Sequence, residues 1–596
     1  MPRLVAAALA LVALAVAPSA SVGSTGDAES KRQRLTKQTG LKAFGSCRSL
    51  VRYGRRHAAR GRGGAPPPVA DLPLPLIGEP SPLPPTSPMP VEREAAVPGS
   101  ENSGTNVQEA GVDEPDLVKA GGGRIFVVAD QQLHAVAADG LKLLGSLPLD
   151  GYGHQLLLDG ERLLVISQTG LLEGGGGRIL PSYEDEVTQL TEVDVSDPAA
   201  MRVLRTERIR GRHVSSRLTG HTARIVVWTR PRAVVEPQLR TQLRGWLPRR
   251  VLRRAAGGRP SIRLAARCRR VFRPASHSGI DLLTVLTIDM SKGLPAVDSD
   301  AMMAGGQTVY ASPQALYVAT PSDERTLLHK FAASEPDATS YRASGQVEGT
   351  LLNQFSLSEH DGVLRAATTV GAGPEGESRV TTLAERSGAL VQLGQVGGLG
   401  KGERIYAVRF LGDVGYVVTF RQVDPLYTLD LSDVRNPRMV GELKIRGYSA
   451  YLHPLGDGLL LGVGQDASER GTTLGTQVSL FDVSKPARPA RLHAWNVPGG
   501  ASSEAEWDHH AFLWWPPSQL AVLPLESARF SGAVGLRVER AAGISEAGRA
   551  AHRLEGQDWP VRRSLVVGGR LVTISDVGIE RNSLTNLAEE AWLGFP

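Results

Sequence analysis

Cysteine is nearly missing: only Cys47 and Cys268 occur in 596 residues. Two thiols cannot build a thiolate zinc site or frame a small disulfide-dependent domain. Aromatic residues are also scarce, at 5%. Beyond the first two dozen residues no run is long and apolar enough to cross a bilayer, which takes about 20 residues. No Gly-x-Ser-x-Gly elbow, His-Glu-x-x-His pair or P-loop is written in the chain, so the common sequence-local hydrolase, zinc-protease and nucleotide-binding devices are lacking. The net charge of +6 is unevenly spread. Fourteen arginines and one acid, Glu236, lie between Arg230 and Arg273, leaving the remainder net acidic.

What is present begins with "MPRLVAAALALVALAVAPSASVGS". Arg3, the apolar run Leu4 to Val16 and small residues at Ser19 to Ser21 read as a secretory signal peptide over residues 1–21, with no cysteine close behind it for lipidation. Residues 22–63 form a basic head. Within it Leu41, Phe44, Cys47 and Val51 fall three to four apart and predict one short amphipathic helix. Residues 64–103 are proline-rich and predict an extended linker with no core of its own.

From about residue 104 to 596 one pattern repeats. "RIYAVRFLGDVGYVVTF", "LLLDGERLLVIS", "HPLGDGLLLGVG" and "LVVGGRLVTIS" are each a strand, a tight turn of glycine or aspartate, and an apolar strand. Further strands follow most of these hairpins, giving four strands, A to D, every 40 to 50 residues or so. That period predicts an all-β fold, a β-propeller of four-stranded blades. Eight full units and a three-stranded ninth can be counted. Eight blades are expected, within a range of seven to nine, with the last sheet completed by a strand from residues 104–112.

"VDVSDP", "IDMSKG", "LDLSDVRNP" and "FDVSKP" begin at Val193, Ile288, Leu429 and Phe481. Each is expected to end strand C and open the turn to strand D, its Asp and Ser oxygens accepting turn N–H groups. The repeat is therefore architectural. One carboxylate per copy is thin for calcium, which takes six or more oxygens. No cofactor is expected, and a structural calcium is left open.

Propeller connections fall on two faces: A–B and C–D turns on one, B–C and D–A loops on the other. The A–B turns are short. The long connections are expected between B and C, at 169–186, 230–280, 370–378, 465–475 and 524–531. Length gathered on one face of a repeat array marks its working surface. The arginine-rich insertion, 230–276, is one of these. It reads as a solvated and dispensable loop, or as a site for a polyanion.

Several stretches resemble a family: "TNVQEAGVDEPDLVKAGGGRIFVV", "LLNQFSLSEHDGVLRAATT", "ERIYAVRF", "FRQVDP" from Phe420 to Pro425, "EWDHHAFLW" and "RSLVVGGRLVTISDVGI", with "LKAFGSCRSL" in the head. They look like the secreted β-propeller domain family of bacteria and archaea, distantly related to WD40 propellers. The resemblance implies a propeller and secretion, and no reaction. The arginine content of the insertion departs from it. Neither sialidase Ser-x-Asp-x-Gly-x-x-Trp boxes nor the tryptophan repeats of quinone propellers recur.

Candidate functional residues are few. Asp113, Glu114 and Asp116 cluster before the first strand, as a weak metal set or as plain turn residues. Asp508, His509 and His510 are expected in an innermost strand, where Asp508 and His510 share a side. Beside them stand His453 and a loop trio, Arg421, Gln422 and Asp424, that could hold a ligand or brace two blades. Cys47 and Cys268 are expected to pair, because export exposes both to oxidising conditions and the head needs an attachment. The expectation is a monomeric, non-catalytic propeller, secreted, periplasmic or on the cell surface, that binds a protein or polysaccharide through its B–C/D–A face. The alternative is an exported hydrolase or lyase at the mouth of the central channel.

Overall fold

The computed structural model describes residues 40–58, 102–170 and 186–596, except 276, 307, 372, 421, 422, 469 and 470. The expected signal peptide and most of the linker lie outside the described residues. Among those described, no helix is long and apolar enough to cross a membrane.

Short apolar runs punctuated by turn residues become antiparallel strands. Asp361–Gly362 and Gly568–Gly569 take two consecutive positive φ angles, as a two-residue type I′ hairpin requires. The strands group into nine four-stranded units, spanning 118–148, 152–210, 212–303, 308–348, 357–399, 404–446, 448–496, 513–550 and 561–594. Units 4 and 5 touch through one parallel bridge, Ser344 to Ala389. The fold is a β-propeller; the described residues show nine such units, at the top of the expected range of seven to nine. The ninth completes itself with Glu589–Gly594, a strand whose acidic start and lateness in the chain hid it.

The core explains how the ring closes. Apolar side chains cluster between consecutive units: Leu133 and Val193 between units 1 and 2, Leu190 and Leu286 between 2 and 3, and so on round the ring. The last cluster joins Ile125 and Val127 of unit 1 to Val572 and Ile574 of unit 9. Among the described residues, closure is thus by packing of sheet faces, with no strand shared between the first unit and the last. Residues 104–112, expected as the closing strand, form none.

They do something else. From Ser103 to Asp116 the chain runs once around the inner wall in the reverse of chain order. Ser103 N–H bonds Val566 O of unit 9 (2.7 Å), and Asn106 Nδ2 bonds the Tyr451 hydroxyl of unit 7 (2.9 Å). Gln108 Nε2 bonds Leu357 O of unit 5 (2.9 Å), and Glu109 accepts from the Tyr310 hydroxyl of unit 4 (2.7 Å). Asp113 pairs with Leu218 of unit 3 and Asp116 with Leu156 of unit 2, before strand A of unit 1 begins at Val118. The segment is a plug that sees almost every blade.

The four Asp-x-Ser elements lie at C–D turns. Asp194, Asp289, Asp430 and Asp482 each accept from the backbone N–H and hydroxyl of the serine two residues on, at 3.0–3.1 and 2.5–2.7 Å. Each also meets a cation: Arg202, Lys292, Arg438 and Arg540 respectively. Every aspartate is already engaged by its own turn and a cation, as an architectural role demands.

The basic insertion is the largest departure from expectation. It is folded, not a bare solvated loop. The head helix, Cys47–Ala58, lays Leu50 and Ala58 against Trp246, Leu247, Ala266 and Val271 of the insertion and Leu282 of unit 3. Leu41–Ala43, read as the start of the helix, is instead a short strand paired with Val271–Pro274. Cys47 and Cys268 are joined by a disulfide, with Cα atoms 5.1 Å apart. A hairpin within the insertion, Arg249–Arg254 and Ser261–Leu264, extends unit 2 at its outer strand. The sequence reading missed this because so few apolar residues are spread among so many arginines.

Two fully buried histidines give a pH prediction. His329 and His552 bond only to hydroxyls, of Ser344 and Thr320 and of Ser575 and Thr573. Burial pulls each imidazole down to about 3, against roughly 6.5 in the unfolded chain. The folded pKa lies below the unfolded one, so the unfolded chain takes up protons that the fold refuses. Stability is full above about pH 6.5 and falls as pH drops, by roughly 1.4 kcal/mol per unit per histidine. Glu580, raised to about 7 by burial, opposes one of them, since its folded form takes a proton first. A net loss of roughly 1.4 kcal/mol per unit is expected from these three groups between pH 6.5 and 4.5. Denaturant titrations at three pH values check it, and His552→Gln should flatten the slope.

Candidate functional site

The connection from unit 7 to unit 8, 497–512, is a D–A loop and was not singled out for its length. Two 3-10 turns shape it. Ser503 caps Glu504–Glu506 in a reciprocal box with Glu506, and Asp508 caps His509–Ala511. Asp508 and His510 were expected to share the side of a strand. They meet instead because the cap bends the chain, and strand A starts only at Leu513. Asp508 Oδ1 accepts from His510 N–H (3.1 Å) and lies 2.7 Å from His510 Nδ1.

This loop faces the plug. Glu114, only 2% exposed, puts Oε2 3.1 Å from His509 Nε2 and 3.3 Å from His510 Nε2. Arg217 of unit 3 lies 3.6 Å from its Oε1, and Gln354 Nε2 donates to it at 3.2 Å. Burial alone would raise this carboxyl, but Arg217 and the two histidines beside it outweigh burial and hold it well below its ordinary range. Burial likewise works against a charged His510, and the bracketing Asp508 and Glu114 overcome it and push the imidazole up. His509 goes the other way, lowered by burial and by His510 beside it.

A second hub adjoins the first. Arg563 of unit 9, itself buried, reaches Asp116 (2.8 Å), Glu504 (3.0 Å) and Asp508 (2.5 Å). Arg562 also bonds Glu504 (2.8 Å). One polar network therefore ties the plug to the loop before unit 8 and to unit 9.

Of the three acids expected together, Glu114 alone meets the histidines. Asp113 is paired with Lys119 (2.7 Å) and Asp116 with Arg563. His453 is near but separate: its Nδ1 lies 3.0 Å from the Tyr451 hydroxyl, and burial with Arg409 nearby pulls it down to about 3, so it is neutral. Arg421 and Gln422 lie outside the described residues. Asp424 falls in the strand Val423–Asp430, opposite Ile445. Sequence reasoning missed Arg217, Arg563, Glu504 and Gln354. Gln354 and Arg563 do stand in stretches that carry the family resemblance. Those stretches, far apart in the chain, converge on the plug.

A cavity of about 720 Å³ lies beside this network, between the plug and the inner strands of units 7, 8, 9 and 1. Asp116, His510 and Arg563 line its inner end, while Gly456, Asp457 and Pro516 place its other end at the A–B turns.

A family model, the beta propeller domain, matches residues 102–587. The chain belongs to that family. The match takes in the plug as well as the blades, starting before the first strand. An uncharacterised protein of Methanocaldococcus jannaschii is 41% identical over 186 residues, which is 30% of this chain and 28% of that one. An uncharacterised protein of Archaeoglobus fulgidus is 27% identical over 502 residues, 69% of this chain and 73% of that one. The WD40 domain of Toxoplasma gondii coronin aligns at 12% identity over 52% of this chain and 79% of its own, with a TM-score of 0.30.

Proposed function

We propose that this propeller is an exported, non-catalytic scaffold that binds a protein or polysaccharide partner on its B–C/D–A face. The observation that carries the reading is where large apolar side chains remain exposed. Among the described residues there are nine: Tyr152, Val235, Ile262, Val297, Leu352, Leu474, Trp507, Leu492 and Leu554. All but Val297 and Leu492 belong to, or border, a B–C or D–A connection. Trp507 is 71% exposed, between the two capped turns of the loop that faces the plug. A rigid, exposed tryptophan is a strong anchor for a partner. The insertion adds charge at the rim, where Arg253, Arg254, Arg259, Arg263, Arg267 and Arg269 are all exposed. This favours an acidic partner.

Not every expected insertion contributes. The one at 524–531 is a tight hairpin, with strands running to Ser527 and resuming at Phe530. The rival reading, a hydrolase or lyase at the channel mouth, has against it the plug along the inner wall and the arginines that engage Asp116, Glu504 and Asp508.

The test compares surfaces. Trp507→Ala is expected to weaken binding to envelope proteins or to an acidic polysaccharide such as heparin by roughly tenfold or more, as loss of an interface anchor does. Binding through the arginine rim should fall steeply with added salt. Alanine at the C–D turn residues Asp197, Asp433 and Lys485 should leave binding unchanged. The reverse pattern, with folding intact, would put the working surface on the other face.

A further inference from the structure

We propose that Glu114, His509 and His510 bind one zinc-like divalent cation, which fastens the plug to the loop before unit 8. Each of the three residues offers one donor atom, a carboxylate oxygen or a ring nitrogen, and these lie within 4.8 Å of one another. The carboxylate oxygen is 3.1 and 3.3 Å from the two nitrogens. Tetrahedral zinc, with bonds of about 2.0–2.2 Å, sets neighbouring ligand atoms roughly 3.3–3.5 Å apart. The carboxylate's two spacings to the imidazoles are already close to those of a ligand set.

Two further features point the same way. His510 Nε2 is buried and has no hydrogen-bond partner of good geometry, although it lies near a carboxylate oxygen. Its other ring nitrogen, Nδ1, is held by Asp508 at 2.7 Å. A carboxylate behind a histidine fixes the ring and its tautomer, and leaves Nε2 for a metal.

The donor set selects the ion. Two imidazoles and one carboxylate suit zinc and its neighbours in the first transition row, whereas calcium and magnesium prefer oxygen. Neither cysteine competes, since the two are joined. His510 also lines the 720 Å³ cavity, so a fourth ligand, water or a small anion, has a route to the ion. Glu114 and the histidines are 395 residues apart in the chain. A cation here would add a staple to the ion pairs that already tie the plug to the loop before unit 8 and to unit 9.

The test uses the exported chain, free of any affinity tag, stripped with a chelator and titrated with Zn(II) against a chromophoric competitor. One equivalent per chain is expected, with a rise in melting temperature. His509→Asn and His510→Asn should each lower affinity at least tenfold and abolish the thermal gain, and Asp508→Asn should lower affinity by about tenfold. Co(II) added to the unaltered protein should give the intense visible absorption of a four-coordinate site, a readout that needs no variant to fold. A folded protein that takes up no Zn(II), a double histidine variant that binds as well as the parent, or a weak six-coordinate Co(II) spectrum would each overturn the proposal. The first of these would assign the cation role to a proton.

Discussion

Replacing Arg563 by methionine will cost the propeller about 5 kcal/mol, more than most single substitutions in its apolar core. The side chain is 5% exposed and meets three carboxylates, on the plug, on the loop before unit 8 and at its capping aspartate. Methionine fills much of the same volume, so the loss is electrostatic. Asp116, 4% exposed, would keep its charge with no cation paired to it, only the Leu117 N–H, and Asp508 would keep only His510. Breaking one buried pair by removing one partner typically costs about 3–5 kcal/mol, and here one guanidinium serves three. Lysine keeps the charge but cannot reach all three carboxylates from one ammonium, so Arg563→Lys should fall between. Denaturant midpoints measure both. A loss under about 1 kcal/mol for the methionine variant would mean that water reaches these carboxylates and that the network holds nothing together.

The blades were legible in the sequence because their physics is local. A turn such as Gly412–Asp413 and a period of two on either side need no knowledge of the rest of the chain. The Asp-x-Ser turns were legible for the same reason, since donor and acceptor are two residues apart. What was not legible is what depends on closure. Residues 104–112 carry the polar, irregular pattern of a linker. Nothing local says that Asn106, Gln108 and Glu109 will each find a different blade. The ninth unit's last strand was lost because Glu589 and Glu590 precede its apolar residues. The candidate site was half legible. The adjacent histidines drew attention at once, and so did the acids at 113–116. That only Glu114 of these acids would reach them, across 395 residues, follows from the plug's path and from no spacing in the chain.

The head and the insertion should prove inseparable, and removing either will destabilise both. Deleting 231–276 was expected to be neutral on the view that the segment is a solvated loop, because long surface loops cost little closure entropy. The structure reverses that expectation. The deletion would remove Trp246, Leu247, Ala266, Cys268 and Val271, strip Leu50 and Phe44 of the head of their neighbours in the insertion, and uncover Leu282 and Met303 of unit 3. Burial of a large apolar side chain is worth about 1.5–3 kcal/mol, so several are at stake. The disulfide adds to this. It joins residues 221 apart, and closing so long a loop stabilises by up to about 5 kcal/mol in the chain-entropy view. Two point variants separate the contributions. Cys47→Ser opens the loop but leaves the packing. Gly54→Leu keeps the cysteines, yet a Cβ at that position would sit 2.5 Å from the Trp246 ring, so the helix must move away. Both should free the head to proteolysis at Arg48, Arg52, Arg55 and Arg56 and expose the insertion's arginines, while the blades resist. Melting curves should show the head lost first, at lower temperature than the ring. A Gly54→Leu protein as protease-resistant as the parent would show that the helix does not depend on Trp246, and that the arginine-rich segment stands apart from the head after all.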